Sequence, residues 1–167
     1  MSRGGGGMRH RLYVLNNALL FMGVSIYFGT GWSTAIFQFP VMPSMTPENY
    51  RLHFLPQIAA ATNFFTFLVS LMVTTCVIMI VVEWKRPGRW LPVMLLAAII
   101  GATCLTYFVI FPVNAVLRAG ITDQEMLNQV IARWKLLTEL RVAIWSFEWL
   151  LMMLWFGRKA YQAESAT

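Results

Sequence analysis

Apolar residues fall in four long runs, Leu12–Phe39, Ile58–Val82, Leu91–Val113 and Leu136–Phe156, separated by short polar or proline-rich connections. Each run meets the roughly 20 residues that, at about 1.5 Å rise per residue, cross about 30 Å of hydrocarbon. Backbone groups find no water in that layer, so continuous helices are the expected form. Alternating segments of about ten residues, the signature of barrel strands, are absent from the sequence. The pattern predicts an all-α fold, an integral membrane four-helix bundle over residues 12–157. A flexible, basic, glycine-rich N-terminal tail is expected at 1–11 and a C-terminal tail at 158–167.

The connections sharpen this picture. The first run, 28 residues long, exceeds the 7–15 residues of a cleavable signal-peptide core, so it reads as an uncleaved first helix. The first loop holds Pro40, Pro43, Pro47 and Pro56, which favour ordered but irregular backbone. The turn "KRPGR" contains Pro-Gly and predicts an antiparallel hairpin of helices two and three. In the third connection Thr122 and Glu125 form a capping box, and no Gly or Pro interrupts the chain from Asp123 to Phe156. An outer amphipathic helix is therefore expected to lead into helix four, with Met126, Val130, Ala132, Trp134 and Leu137 loosely following helical spacing. No internal repeat is evident.

Composition agrees, with 58% hydrophobic and 12% charged residues against about 45–50% and about 25% in soluble domains. Basic residues gather at Arg3, Arg9 and Arg11, in the hairpin at Lys85, Arg86 and Arg89, and at Arg158 and Lys159. This bias places the N and C termini in the cytoplasm, most simply at a bacterial cytoplasmic (inner) membrane. The net charge of +6 suits anionic lipid headgroups and needs no nucleic acid. Trp84 and Trp90 flank the hairpin as interfacial aromatics do. Cys76 and Cys104 fall at different depths, too far apart for a disulfide, and read as small buried apolar residues.

The fourth run carries Glu139, Arg141 and Glu148. Starting it after Arg141 would leave only 15 residues to Phe156, about 22 Å, so Arg141 lies within the outer edge and Glu148 near mid-membrane. Trp134, Thr138, Arg141, Trp145, Glu148 and Met152 alternate spacings of four and three, which puts them on one helix face. Intramembrane charges normally face a bundle interior or a wet cavity. Further polar stripes run along helix one (Asn16, Gly23, Tyr27, Thr30, Thr34), helix two (Asn63, Thr66, Ser70, Thr74) and helix three (Thr103, Tyr107, Asn114). Two readings follow: a partly polar intramembrane pocket, or ordinary hydrogen bonding between membrane helices.

Known cofactor patterns are missing. The two histidines, His10 and His53, fall on opposite sides of the expected topology, and neither HExxH nor CxxC occurs, so no motif for haem, metal or nucleotide stands out. His53, before Pro56 and Gln57 at the outer mouth of helix two, is the candidate general base.

The segments "FPVNAVLRAG" and "RWKLLTELRVAIW" resemble the anthrone-oxygenase-like family of small four-helix membrane proteins. Pro112 and Asn114 match that family's Pro-x-Asn element, and Trp134 and Arg141 match its Trp-x-x-x-Asn-x-x-Arg element, with Thr138 at the asparagine position. The resemblance implies a small lipophilic aromatic substrate entering from the bilayer and, for a few members, its oxygenation. The polar stripes and the position of His53, taken together with these matches, give a candidate site of catalytic His53, Arg141 and Glu148, with Asn114, Trp134, Thr138, Trp145 and Tyr107 binding the substrate. The alternative is a non-catalytic structural or accessory subunit of a larger membrane complex; the expected partners are the lipid bilayer, a small hydrophobic ligand, and other membrane subunits or further copies of the chain in a homo-oligomer.

Overall fold

A computed structural model describes residues 4–165. The described chain is helical: α1 (Gly4–Ser33), a π-helical turn (Thr34–Gln38), a 3-10 segment (Phe39–Ser44), α2 (Tyr50–His53), α3 (Leu55–Glu83), α4 (Trp90–Leu105), a second π-helical turn (Thr106–Ile110), α5 (Phe111–Ala119) and α6 (Gln124–Glu164). They join into four spans long and apolar enough to cross a membrane, Gly7–Ser44, Tyr50–Glu83, Trp90–Ala119 and Gln124–Glu164. Residues 4–11 and 158–164, expected as tails, are helical. Each residue added to a formed helix gains a backbone hydrogen bond for one residue fixed, so a span readily propagates past its apolar core. Residues 1–3 and 166–167 of the expected tails lie outside the described residues.

The hairpin meets the early turns of α1 and the late turns of α6 at one end of the bundle, around Glu83. Its carboxylate is 1% exposed and accepts from Tyr13 Oη at 2.9 Å, Arg86 Nη1 at 3.0 Å and Lys159 Nζ at 3.1 and 3.0 Å. Spans one, two and four are thereby tied through one buried charge, whose desolvation is offset by several charged and neutral donors. Just above, Asn16 Nδ2 donates to the Thr75 carbonyl at 2.9 Å, and buried Cys76 donates Sγ–H to the Pro92 carbonyl at 3.4 Å, joining spans two and three. Cys104, expected to be buried, is exposed on the outer face of span three.

The opposite end is closed by the connections. Tyr50, fully buried, donates its hydroxyl to the Leu117 carbonyl at 3.1 Å and accepts from the Ile121 amide at 2.7 Å, so α2 is pinned to the corner between α5 and α6. That corner turns at Gly120, whose φ of 96° favours a residue without Cβ. The helix cap differs from the expected Thr122–Glu125 box: Asp123 is the N-cap, its side chain accepting from the Met126 amide at 2.7 Å. The buried face of early α6 is Leu127, Ile131 and Trp134, whereas Met126 is exposed.

Two hydrophobic cores result. One, nearer the termini, contains Leu20, Val24, Met72, Leu95, Ile99 and Met152; the other, under the loops, contains Phe39, Tyr50, Phe54, Leu117, Leu127 and Trp134. Between them spans one and three each pass through a π-helical turn. The cause is legible in the chain, because each turn precedes Phe-Pro: Phe39–Pro40 and Phe111–Pro112. Proline removes an amide donor and crowds the carbonyl four residues back. The backbone adjusts by wider bonds, Phe39 N–H to the Thr34 carbonyl and Phe111 N–H to the Thr106 carbonyl.

Candidate functional site

A cavity of about 390 Å³ lies where the two cores meet, with walls drawn from all four spans. Both π-helical turns contribute: Thr34 and Gln38 on one side, Thr106, Tyr107 and Ile110 on another. π-turns inside α-helices recur at functional sites because they widen the helix and re-aim side chains. Most of the wall is apolar or aromatic, including Tyr27, Phe54, Phe65, Phe111, Trp134 and Trp145. Thr66, Thr103 and Tyr107 line the cavity yet are exposed, so it opens sideways between spans two and three. The volume falls within the range of about 300–1,000 Å³ usual for small-molecule sites.

One wall is a stack. The Arg141 guanidinium carbon lies 4.7 Å from the Trp145 ring centroid, and Trp145 stacks on Tyr27 at 4.7 Å with 16° between ring planes. Tyr27 in turn donates its hydroxyl to the Phe65 carbonyl at 3.3 Å, which anchors the stack to span two. Span one can approach this closely because residue 31 is glycine; a Cβ there would sit 2.9 Å from Trp145 Cε3. The Arg141 Nε is buried without a hydrogen-bond partner. Ion pairs form at Arg86–Glu83, Lys135–Glu139 and Lys159–Glu83, and Arg141 takes part in none of them.

The Pro-x-Asn segment and the start of helix four meet at this cavity. Trp134 Nε1 donates to Asn114 Oδ1 at 3.0 Å, both residues are buried, and both line the space. Thr138, one turn further along α6, is 1% exposed with its hydroxyl oxygen unpartnered, and it does not line the cavity. Tyr107 stands at the mouth, 63% exposed, against Phe111.

Glu148 is fully buried, two turns beyond Arg141 on the same face, and neither carboxyl oxygen has a hydrogen-bond partner. Tyr27 and Trp145 line the cavity while Glu148 does not. His53 is exposed at the end of α2 and is not part of the cavity wall. The structure therefore gathers Tyr107, Asn114, Trp134, Arg141 and Trp145 around one space, and leaves His53, Thr138 and Glu148 outside its wall. On helix two, Asn63, Ser70 and Thr74 are exposed. There Thr66, Ser70 and Thr74 each donate to the carbonyl four residues earlier, so these hydroxyls need no partner helix. Among the described residues no group of three His, Cys, Asp or Glu gathers as metal ligands would.

These features define a four-span helical bundle holding an aromatic cavity with, among the described residues, a single cation in its wall. No family model matches the chain, and no curated protein or solved structure matches it either.

Proposed function

We propose that this is a multi-pass membrane protein, both termini cytoplasmic, whose cavity binds a small lipophilic aromatic molecule reached from the bilayer. The observation that carries this reading is the 390 Å³ aromatic space open between spans two and three. A flat apolar ligand can leave lipid there without crossing water, and the rings of Phe65, Trp134 and Trp145 offer stacking and edge contacts. Asn114 and Arg141, together with Gln38, Gln57 and several threonine hydroxyls, supply the polar groups that orient a ligand in a mostly apolar site. The resemblance to anthrone-oxygenase-like proteins points to the same class of molecule, and its matching residues Asn114, Trp134 and Arg141 share the cavity. Oxygenation is the chemistry that resemblance would add. Binding is what the cavity itself supports.

Purification in mild detergent, organic extraction and mass spectrometry test the reading, with wild type beside Ala61→Trp, which fills the cavity wall. An aromatic lipophile retained stoichiometrically by wild type and lost from a folded Ala61→Trp protein is the expected result. Equal content in both proteins contradicts it.

A further inference from the structure

We propose that the ligand of this cavity is a lipophilic weak acid, a phenol or aromatic carboxylic acid, whose anion sits against Arg141. This inference rests on the cavity being a binding site and adds the charge of what it binds.

The argument starts from an imbalance. Arg141 is a guanidinium in the wall of an apolar cavity within a candidate membrane span. Its Nε is buried and unpartnered, and among the described residues its guanidinium donates no side-chain or carbonyl hydrogen bond and no carboxylate pairs with it. What it does touch is the face of Trp145. A ring face attracts a cation but offers no lone-pair acceptor to the five N–H groups of a guanidinium. Glu148, the nearest acid along the same helix face, stands two turns away with Trp145 between, and its oxygens are equally unpartnered.

A buried charge is ordinarily paired or hydrogen-bonded, because leaving it bare is costly. Arginine's planar fork suits a carboxylate or phenolate edge, and an acid of that kind supplies both the missing charge and the missing acceptors. A neutral hydrocarbon supplies neither, and an amine would repel. Asn114 does not fill this role: its Oδ1 accepts from Trp134 Nε1, it carries no charge, and no hydrogen bond joins it to Arg141. The stacked Tyr27–Trp145 pair beneath the guanidinium restricts where it can turn, so the anion is held at the Arg141 end while the rings lie on the aromatic wall.

The test titrates purified full-length protein in mild detergent with 1-naphthoate and with methyl 1-naphthoate, reading quenching of tryptophan fluorescence against a micelle-only blank. Charge-assisted hydrogen bonds favour the acid by at least about tenfold. In Arg141→Gln that preference disappears, while Arg141→Lys keeps part of it. Equal affinity of wild type for acid and ester overturns the proposal and leaves the binding site standing; this comparison needs no variant to fold. Failure of both probes to bind saturably overturns the proposal together with the cavity's role as a ligand site.

Discussion

Trp134 donates its indole N–H to Asn114 Oδ1 at 3.0 Å, and this bond fastens α6 to α5 at the rim of the cavity. Both partners are buried, and they stand 20 positions apart in sequence. The bond closes the corner that begins with Tyr50 and Gly120, so the wall of the cavity and the cap over it are mechanically one unit.

Asn114→Ala leaves that indole N–H without an acceptor. Interhelical hydrogen bonds between membrane spans contribute about 0.6 kcal/mol on average and up to about 1.7, so a loss of about 1 kcal/mol is expected. Trp134→Phe removes the donor, and the double variant loses less than the sum of the two. Thermal unfolding of all four proteins in one detergent measures this cycle; additive losses would show that the contact carries no coupling.

Glu83 organises the other end. Glu83→Ala removes the acceptor of Tyr13, Arg86 and Lys159 at once. Breaking a fully buried pair costs about 3–5 kcal/mol, but Arg86 and Lys159 keep access to solvent, so about 1–3 kcal/mol is expected here. Glu83→Gln, which keeps acceptance but not charge, falls between. A melting temperature unchanged in Glu83→Ala would contradict this account of the bundle end.

Glu148 behaves in the opposite sense. Its carboxyl is fully buried with neither oxygen hydrogen-bonded, a burial worth about 1–3 kcal/mol of lost stability. Glu148→Met, similar in length and apolar, is expected to raise the unfolding temperature in detergent. A fall would mean that the carboxyl has partners in the folded protein that outweigh its burial.

The spans were legible because apolar character is summed locally, and the run from Asp123 to Phe156 carries no breaker. The stripe on helix four was legible too: its three–four spacing matches residues that are buried at Trp134, Thr138, Trp145, Glu148 and Met152 and half-buried at Arg141. Helix two misled, since its Thr and Ser hydroxyls satisfy themselves on their own carbonyls and need no polar interior. The role of Glu83 is not legible in the sequence, because its partners come from three separate stretches that no local pattern links. His53 drew notice for its chemistry, yet α2 turns it outward while Tyr50 takes the buried place. The π-helical turns do carry a local sequence signal. "TAIFQFP" and "TYFVIFP" share Thr, four residues, Phe and Pro, and each marks a turn that opens onto the cavity.

That repeat leads to a further expectation. Pro112→Ala restores an amide donor and relieves the crowding that favours the π-turn at Thr106–Ile110. A regular α-helix there rotates Tyr107 and Ile110 relative to the cavity, so ligand affinity is expected to fall several-fold with little change in helix content. Circular dichroism beside a binding titration separates the two; unchanged affinity would show that the π-turn does not shape the site.

The most direct test of the cavity's role is photo-crosslinking with a benzophenone-bearing lipophilic aromatic probe in proteoliposomes, followed by peptide mapping. Labelling concentrated on the cavity wall at Thr103, Tyr107, Trp134 and Ile58, and reduced by excess unlabelled 1-naphthoate, is the predicted result. Labelling spread over the exposed apolar faces at Phe67, Val81 and Leu154, with no competition, would contradict it.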